Sequence, residues 1–182
     1  IGNVTNVTYK PLTDSATYTK GSTATYPYLD SQTSMYVVSS LASGNGIGGA
    51  LTSSYKYGGL ILDLLSGRGS LGYAWTETKQ VETNQTTRTE YHQDWPYVGM
   101  PLITKKMINV GGNNGLLGQD TYVSLCKNPS DGTNCTVAAG KRYFPYVEKT
   151  TEVDWDLNGA VLPTTITTSE YDNYGNTTKI TV

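Results

Sequence analysis

The sequence predicts an all-β protein built from antiparallel hairpins. Threonine and tyrosine are abundant, with 15 tyrosines against a single phenylalanine, and both residue types favour pleated sheet. Apolar residues at helical spacing are scarce, whereas short strand-like runs recur between clusters of Gly, Pro, Asn and Asp. These observations favour strands joined by tight turns, arranged either as a meander within a larger β-array or as an open β-sandwich.

The expected strands follow one another along the whole chain. Residues 1–33, which include Pro11 and Pro27, are expected to run as an extended edge or wrapping segment. The glycine-rich segments 43–49 and 111–115 are expected to be loops, because glycine loses the most conformational freedom in a strand. The predicted strands are 4–9, 34–41, 52–57, 60–65, 71–79, 85–93, 102–108, 121–126, 143–154, 161–171 and 177–182.

The clearest hairpin signal is Asn158-Gly159, which predicts a two-residue primed turn between strands 148–155 and 161–171. The turn 172–175 then adds a third strand, so residues 143–182 are predicted to form a meander. The last strand, 177–182, has no following partner in the sequence, which suggests a piece of a longer β-array.

The chain is expected to be one β-domain, or a fragment of a larger shell, spanning residues 1–182. Within it, the edge segment 1–33 precedes a hairpin region, 34–142, and the C-terminal meander, 143–182. No segment with the composition of a linker separates these regions.

Composition and charge exclude two broad classes of partner. Charged residues make up 15% of the chain and the net charge is −2, so the basic footprint of a nucleic-acid-binding protein is missing. No apolar run approaches the roughly 20 residues of a membrane-spanning helix. No cofactor is predicted either.

Cys126 and Cys135 flank a segment whose Pro129 and Asp131-Gly132 are strong turn formers. The two sulfurs are therefore predicted to form a disulfide across the neck of a hairpin, which would stabilise the fold by roughly 2.5–3 kcal/mol. Two unrelated thiols are the alternative. A zinc site is not expected, because two thiols lack the further ligands that zinc needs. The disulfide and the uncharged surface indicate a secreted or cell-surface protein.

The segment 67–72, GRGSLG, matches the G-x-G-x-x-G fingerprint of dinucleotide-binding folds. That fingerprint binds pyrophosphate only where a helix begins. The following residues, 73–78, have the aromatic and β-branched pattern of a strand. The glycines are therefore predicted to form a hairpin turn or a bulge.

No catalytic site is predicted. His92 is the only histidine, and on a strand it would share one face with Arg88, Glu90 and Asp94, where a solvated role is expected. Asp154 and Asp156 would lie on one strand face beside Trp155, with Glu148 and Glu152 on the same strand, at a spacing that does not exclude glycoside hydrolysis. Nothing in the sequence indicates that these carboxylates are buried.

Trp75, Trp95 and Trp155 are the aromatic residues best suited to stack on sugar rings. Packing within the β-structure is the more common role for tryptophan, and it is the interpretation favoured here. The glycan-stacking alternative leaves open a carbohydrate- or receptor-binding β-module of a surface protein.

The segment Tyr171-Asp172-Asn173-Tyr174-Gly175-Asn176 resembles the tyrosine–aspartate repeat of Rhs and YD-repeat proteins. Four upstream segments look like the middle region of the insecticidal toxin-complex B component and of related virulence-plasmid proteins. They are YKPLTD (9–14), MYVVS (35–39), GRGSLGY (67–73) and QDWPYVG (93–99).

This resemblance implies a structural role. In that family the region is similar to a scaffold whose β-strands spiral into a hollow shell around a toxic segment. The implied partners are neighbouring β-repeats or other toxin-complex subunits, and no catalytic residue carries over. Tyr171, Asp172, Gly175 and Asn176 would form the YD-type turn, with Asp172, Gly175 and Asn176 setting its register and Tyr171 packing against the next unit. The chain has only one good match to this motif.

Overall fold

The computed structural model of the chain describes residues 4–110, 113–128, 132–135 and 142–182. These residues form β-strands and turns, with no helix among them, which confirms the predicted all-β antiparallel class. The strands are β1 (Thr5–Pro11), β2 (Tyr18–Thr19), β3 (Tyr28–Asp30), β4 (Tyr36–Gly44), β5 (Ala50–Gly58), β6 (Ile61–Asp63), β7 (Gly69–Ser70), β8 (Trp75–Gln80), β9 (Gln85–Tyr91), β10 (Pro101–Val110), β11 (Asn113–Lys127), β12 (Phe144–Asp154), β13 (Thr165–Tyr171) and β14 (Thr177–Thr181).

One large sheet contains most of the strands, in the order β1-β4-β5-β8-β9-β10-β11-β12-β13-β14. Neighbours along this path are antiparallel, and from β8 onward each strand pairs with the next strand in the sequence. The short strand β2 lies parallel to the end of β5, and β3, β6 and β7 form a separate small sheet. Among the described residues, the large sheet therefore ends at β1 on one side and at β14 on the other.

Several predicted strand boundaries were wrong for local reasons. The strand expected from residue 71 begins only at Trp75, because Gly72 has a φ of 80°, which a strand cannot accommodate. The strand expected from residue 161 begins at Thr165, after Pro163, which has no N–H to give to a ladder. Conversely, β11 begins at Asn113, inside the predicted loop 111–115, since its first residues pair with the end of β10. Residues 111 and 112 lie outside the described residues.

The turn between β12 and β13 also differs from the prediction. The Asp156 N–H donates to the Ala160 carbonyl at 2.8 Å, so three residues, not two, lie between the paired positions. Gly159 has a positive φ of 84°, whereas Asn158 does not. This is the geometry of a three-residue loop with glycine in the left-handed region rather than a primed two-residue turn.

A small hydrophobic core lies at one end of the large sheet, near β2. Leu12, Tyr18 and Leu60 are buried there, and Val37, Tyr57 and Tyr73 pack around them. The Tyr18 hydroxyl donates to the Ser31 carbonyl at 2.6 Å and accepts the Leu60 N–H at 3.0 Å. The buried hydroxyl thus both donates and accepts a hydrogen bond. These two bonds join β2 to the segment that follows β3 and to the segment that precedes β6.

Elsewhere the large sheet buries little. Every residue of β9 is half-buried, and no residue of β8, β9, β13 or β14 is fully buried. The chain exposes 11168 Å² of surface, whereas a compact monomer of 19.7 kDa exposes about 8,600 Å². The excess indicates that ladder hydrogen bonds and contacts between adjacent strands, rather than a central core, hold most of this sheet.

Because Leu12 is, among the described residues, the side chain with no exposed surface, Leu12→Ala is expected to cost the most among the apolar truncations. We expect a loss of about 2–5 kcal/mol in the free energy of unfolding, from lost burial and the cavity left behind. Urea denaturation followed by tryptophan fluorescence measures it. Ile47→Ala is the matched control, since Ile47 is 89% exposed. Equal effects of the two variants would contradict the location of the core.

Candidate functional site

Asp172 organises the turn that joins β13 to β14. Its backbone N–H donates to the Asn176 carbonyl at 3.0 Å, and its Oδ1 accepts the N–H groups of Tyr174 and Asn176 at 2.8 Å each. Its Oδ2 accepts the Asn176 side-chain amide at 2.9 Å. Gly175 supplies the positive φ of 88° that closes the loop. The aspartate thus satisfies turn amides that have no ladder partner.

Two other hairpins have a turn with the same backbone hydrogen bond between its first and fifth residues, and at one of them, the Asn45 turn, the side-chain pattern is also the same. Between β4 and β5, the Asn45 N–H donates to the Gly49 carbonyl, and Asn45 Oδ1 accepts the N–H groups of Ile47 and Gly49 at 3.0 and 2.9 Å. Between β12 and β13, Asp156 Oδ1 accepts the Leu157 N–H at 2.7 Å. All three loops place Asp or Asn first and a glycine with positive φ in the fourth position. All three lie where the sequence predicted a turn or a loop, but their common design was not predicted.

Aromatic rings support the Asp172 turn from the side of β12. Phe144 and Tyr146 are stacked with their ring centroids 5.5 Å apart, and Tyr171 contacts both rings at 5.6 and 5.0 Å. A Cβ added to Gly175 would lie 3.1 Å from the Phe144 ring. Gly175 therefore has two reasons to be glycine, its φ angle and the ring beside it.

The predicted disulfide between Cys126 and Cys135 is present, with their Cα atoms 5.3 Å apart. It closes a loop that follows β11 and lies next to the Asp172 turn. Lys127 Nζ donates to the Tyr171 carbonyl at 3.0 Å and lies 5.7 Å from the centre of the Tyr146 ring. Of the turn formers predicted in this loop, Pro129 and Asp131 lie outside the described residues. The bridge indicates an oxidising environment.

Two of the three tryptophans are partly covered by arginine. Trp75 lies across Gly58, where a Cβ would come within 2.2 Å of its ring, and the Arg88 guanidinium lies 4.0 Å from the ring centroid. The Arg68 guanidinium is 4.5 Å from the Trp95 ring centroid. Trp95 also meets the edge of Tyr143, yet it remains 40% exposed. Packing within the sheet is thus a substantial role for Trp75, and Trp95 keeps surface available to a ligand.

Trp155 lies beyond the end of β12, where its backbone forms an isolated bridge with Val161. It lines an open groove of about 470 Å³ at the end of the sheet, together with Ile108, Leu117 and Leu157. The groove is mainly apolar, and Asp156 is the one residue with an ionisable group among the described residues that line it. It therefore lacks the converging titratable groups of an active site.

The candidate acids and bases do not assemble. β9 ends at Tyr91, so His92 and Asp94 lie in the following loop rather than on the strand face predicted for them. In that loop, His92 Nδ1 and Asp94 Oδ1 are 2.8 Å apart. Asp154 is the last residue of β12, and Asp156 lies in the next loop, so the predicted shared strand face is wrong. The Arg88–Glu90 contact of 3.6 Å and the His92–Asp94 contact each join two of the four side chains predicted to share the β9 face, but the two pairs do not come together into one cluster.

The glycines of segment 67–72 form turns, as predicted. Gly67, Gly69 and Gly72 have positive φ values of 75°, 70° and 80°, and the short strand β7 lies among them. No helix begins here, so the helix N-terminus required for pyrophosphate binding is missing. Asp63, which the sequence analysis did not single out, caps the adjacent turn by accepting the N–H groups of Leu65 and Ser66 at 3.0 and 2.9 Å. The sequence signal that could have predicted this cap is an aspartate, Asp63, three residues before a serine, Ser66.

Among the described residues, no group of three or more His, Cys, Asp or Glu side chains is placed to hold a metal ion. The described part of the chain has no helix that could cross a membrane.

Comparison of the chain with protein-family models, with curated proteins and with solved structures finds no match.

The pKa of Asp172 is held below its ordinary value of 3.8, chiefly by the Asn176 side-chain amide and then by the Asn176 N–H. The stabilisation is therefore present above pH 3.8 and is lost as pH falls through the lower pKa of the folded state. We expect Asp172→Ala to lower stability near pH 6 and to reduce the loss of stability on acidification. Denaturation midpoints between about pH 6 and pH 2 measure both effects.

Asp63→Ala is the comparison variant, because hydrogen bonds from Ser66 likewise lower the pKa of Asp63. The two sites lie in different sheets, so their effects are expected to add. If Asp172→Ala left the loss of stability on acidification unchanged, the role of the ionised Asp172 in stabilising its turn would be contradicted.

Proposed function

We propose that the chain is a non-catalytic structural segment of a secreted YD-repeat protein, contributing to a β-shell that encloses or presents a toxic segment. The observation that carries the proposal is the repetition of one turn design. Hairpin loops starting at Asn45, Asp156 and Asp172 share the backbone hydrogen bond from the first residue to the fifth and the position of a glycine with positive φ. Repetition of one supersecondary unit is typical of arrays in which each hairpin is completed by its neighbours.

The exposed surface supports the same proposal. A sheet that buries few side chains gains little stability from hydrophobic packing. Apolar side chains are also exposed on both edge strands. Val7 on β1 is 41% exposed and Ile180 on β14 is 62% exposed. Neighbouring β-repeats or other toxin-complex subunits, added to these edges, would cover such residues and satisfy the outward backbone groups. The disulfide fits a secreted or cell-surface location.

The proposal is tested by hydrogen exchange of the isolated chain and of the parent polypeptide. In the parent, amides of β1 and β14 are expected to exchange more slowly, because added strands protect them. Amides of β9, which has a strand on both sides, serve as the internal control and are expected to change little. Equal exchange of both edges in the two samples would contradict the proposal. So would a turnover that His92→Ala abolishes at unchanged melting temperature.

A carbohydrate- or receptor-binding β-module is the second candidate, and the exposure of Trp95 is the observation that favours it. If this candidate is right, Trp95→Ala is expected to abolish binding on a glycan array, because the sugar ring loses its stacking surface. Tyr36→Ala is the matched control, since Tyr36 is an exposed aromatic residue outside the predicted stacking set, and near-ultraviolet circular dichroism verifies folding. Trp75→Ala is a less clean test, since Trp75 also packs on Gly58. A blank array counts against this candidate.

A further inference from the structure

The hairpin β13–β14 has little support near its turn. Ladder pairs join β13 to β12 from Thr165 to Thr168, and none is recorded from Ser169 to Tyr171. On its other side β13 has only β14, whose residues are all exposed. Contacts outside the ladder must therefore hold the turn end of the hairpin, and the aromatic contacts of Tyr171 are one set of them.

The second set comes from the disulfide-bridged segment. Lys127, the last residue of β11, donates through Nζ to the Tyr171 carbonyl at 3.0 Å, at the last residue of β13. The loop backbone beyond it also approaches the turn, since a Cβ on Gly132 would lie 2.9 Å from Asn173 Oδ1. The strand residue next to the bridge thus contacts the end of β13, and a residue inside the bridged loop lies beside the turn that follows it.

The disulfide holds the loop in the shape that makes these contacts. At its neck the Cys135 N–H donates to the Cys126 carbonyl at 3.0 Å, and Asn134 pairs with Lys127. Further in, the Asn128 N–H donates to the Thr133 carbonyl at 2.7 Å, and the Gly132 N–H donates to the Asn128 carbonyl at 2.8 Å. Lys127 directly follows one bridged cysteine, and Gly132 lies within the loop that the bridge closes.

We propose that the Cys126–Cys135 disulfide is a redox-sensitive lock on the turn end of the hairpin β13–β14. A dithiol reductant opens it in two steps. One reductant thiolate attacks the more accessible Cys135 sulfur and releases the buried Cys126 as a thiolate, which takes up a proton. The second reductant thiol then attacks the mixed disulfide, which frees Cys135 as a thiol and leaves the reductant oxidised to its own disulfide.

Once the bridge is reduced, the loop is no longer closed, so Gly132 leaves its position beside Asn173. The end of β11 is then held through the pairing of Lys127 with Phe144, which weakens the contact of Lys127 with Tyr171. The turn end of the hairpin then opens, while the part of β13 paired with β12 stays in the sheet. This inference does not rest on the proposed function, because it concerns only contacts within the chain.

Hydrogen exchange of the whole chain, with and without dithiothreitol, tests the lock. Reduction is expected to speed exchange of the amides of Asp172, Tyr174 and Asn176 by about tenfold, as local opening exposes them. Amides of β5, far from the bridge along the sheet, are expected to be unaffected. Unchanged exchange at the Asp172 turn would overturn the proposal. A uniform increase in exchange rate over the whole sheet would also overturn it, since the disulfide would then stabilise the entire fold and not this hairpin in particular.

Lys127→Met separates the lock from the bridge, because it keeps the apolar stem and removes the donor to Tyr171. In this variant the turn amides are expected to exchange fast in the oxidised protein, and reduction is expected to add little. Lys149→Met on β12 is the matched control and should respond to reduction as the unmodified chain does. If Lys127→Met left exchange of the oxidised protein unchanged, the route through Lys127 would be overturned.

Discussion

Hydrogen bonds between backbone groups of adjacent strands carry most of this structure. In a fold with two packed layers, burial of side chains selects the register of each strand, because a slip of one residue turns the apolar set outward. Here the central strands have half-buried residues on both faces, so burial discriminates weakly between registers. The register must therefore be set where the strands are joined, at the turns.

The turns meet that requirement with side-chain chemistry. An Asp or Asn at the first position uses one oxygen to accept two amides of its own loop in the turns at Asn45 and Asp172. A glycine in the fourth position takes the left-handed conformation that other residues adopt only at a cost. Together they fix the loop length, and the loop length fixes which residues face each other across the hairpin.

The parts of the structure that depend on local chemistry could be predicted from the sequence. The all-β class followed from residue type and spacing, the role of Gly175 from the turn, and the disulfide from the turn formers between Cys126 and Cys135. The start of β11 and the loop geometry at Asn158 were mispredicted, because pairing with the opposite strand decided them. Contacts between distant segments had no local signal at all. Trp75 lying over Gly58, Lys127 reaching Tyr171 and β2 running parallel to β5 all belong to this group.

The position of the core gives the sheet an uneven mechanical character. Leu12 and its neighbours fasten the β1 side, whereas β14 is held on one side by a short ladder. From β8 onward, strand order follows chain order, so a force on the C-terminal end meets one hairpin at a time. We expect such a load to break ladder bonds in succession rather than together, with the highest resistance where the peeling front reaches the segment around Leu12. The molecule is thus built to unzip from one end and to be anchored at the other.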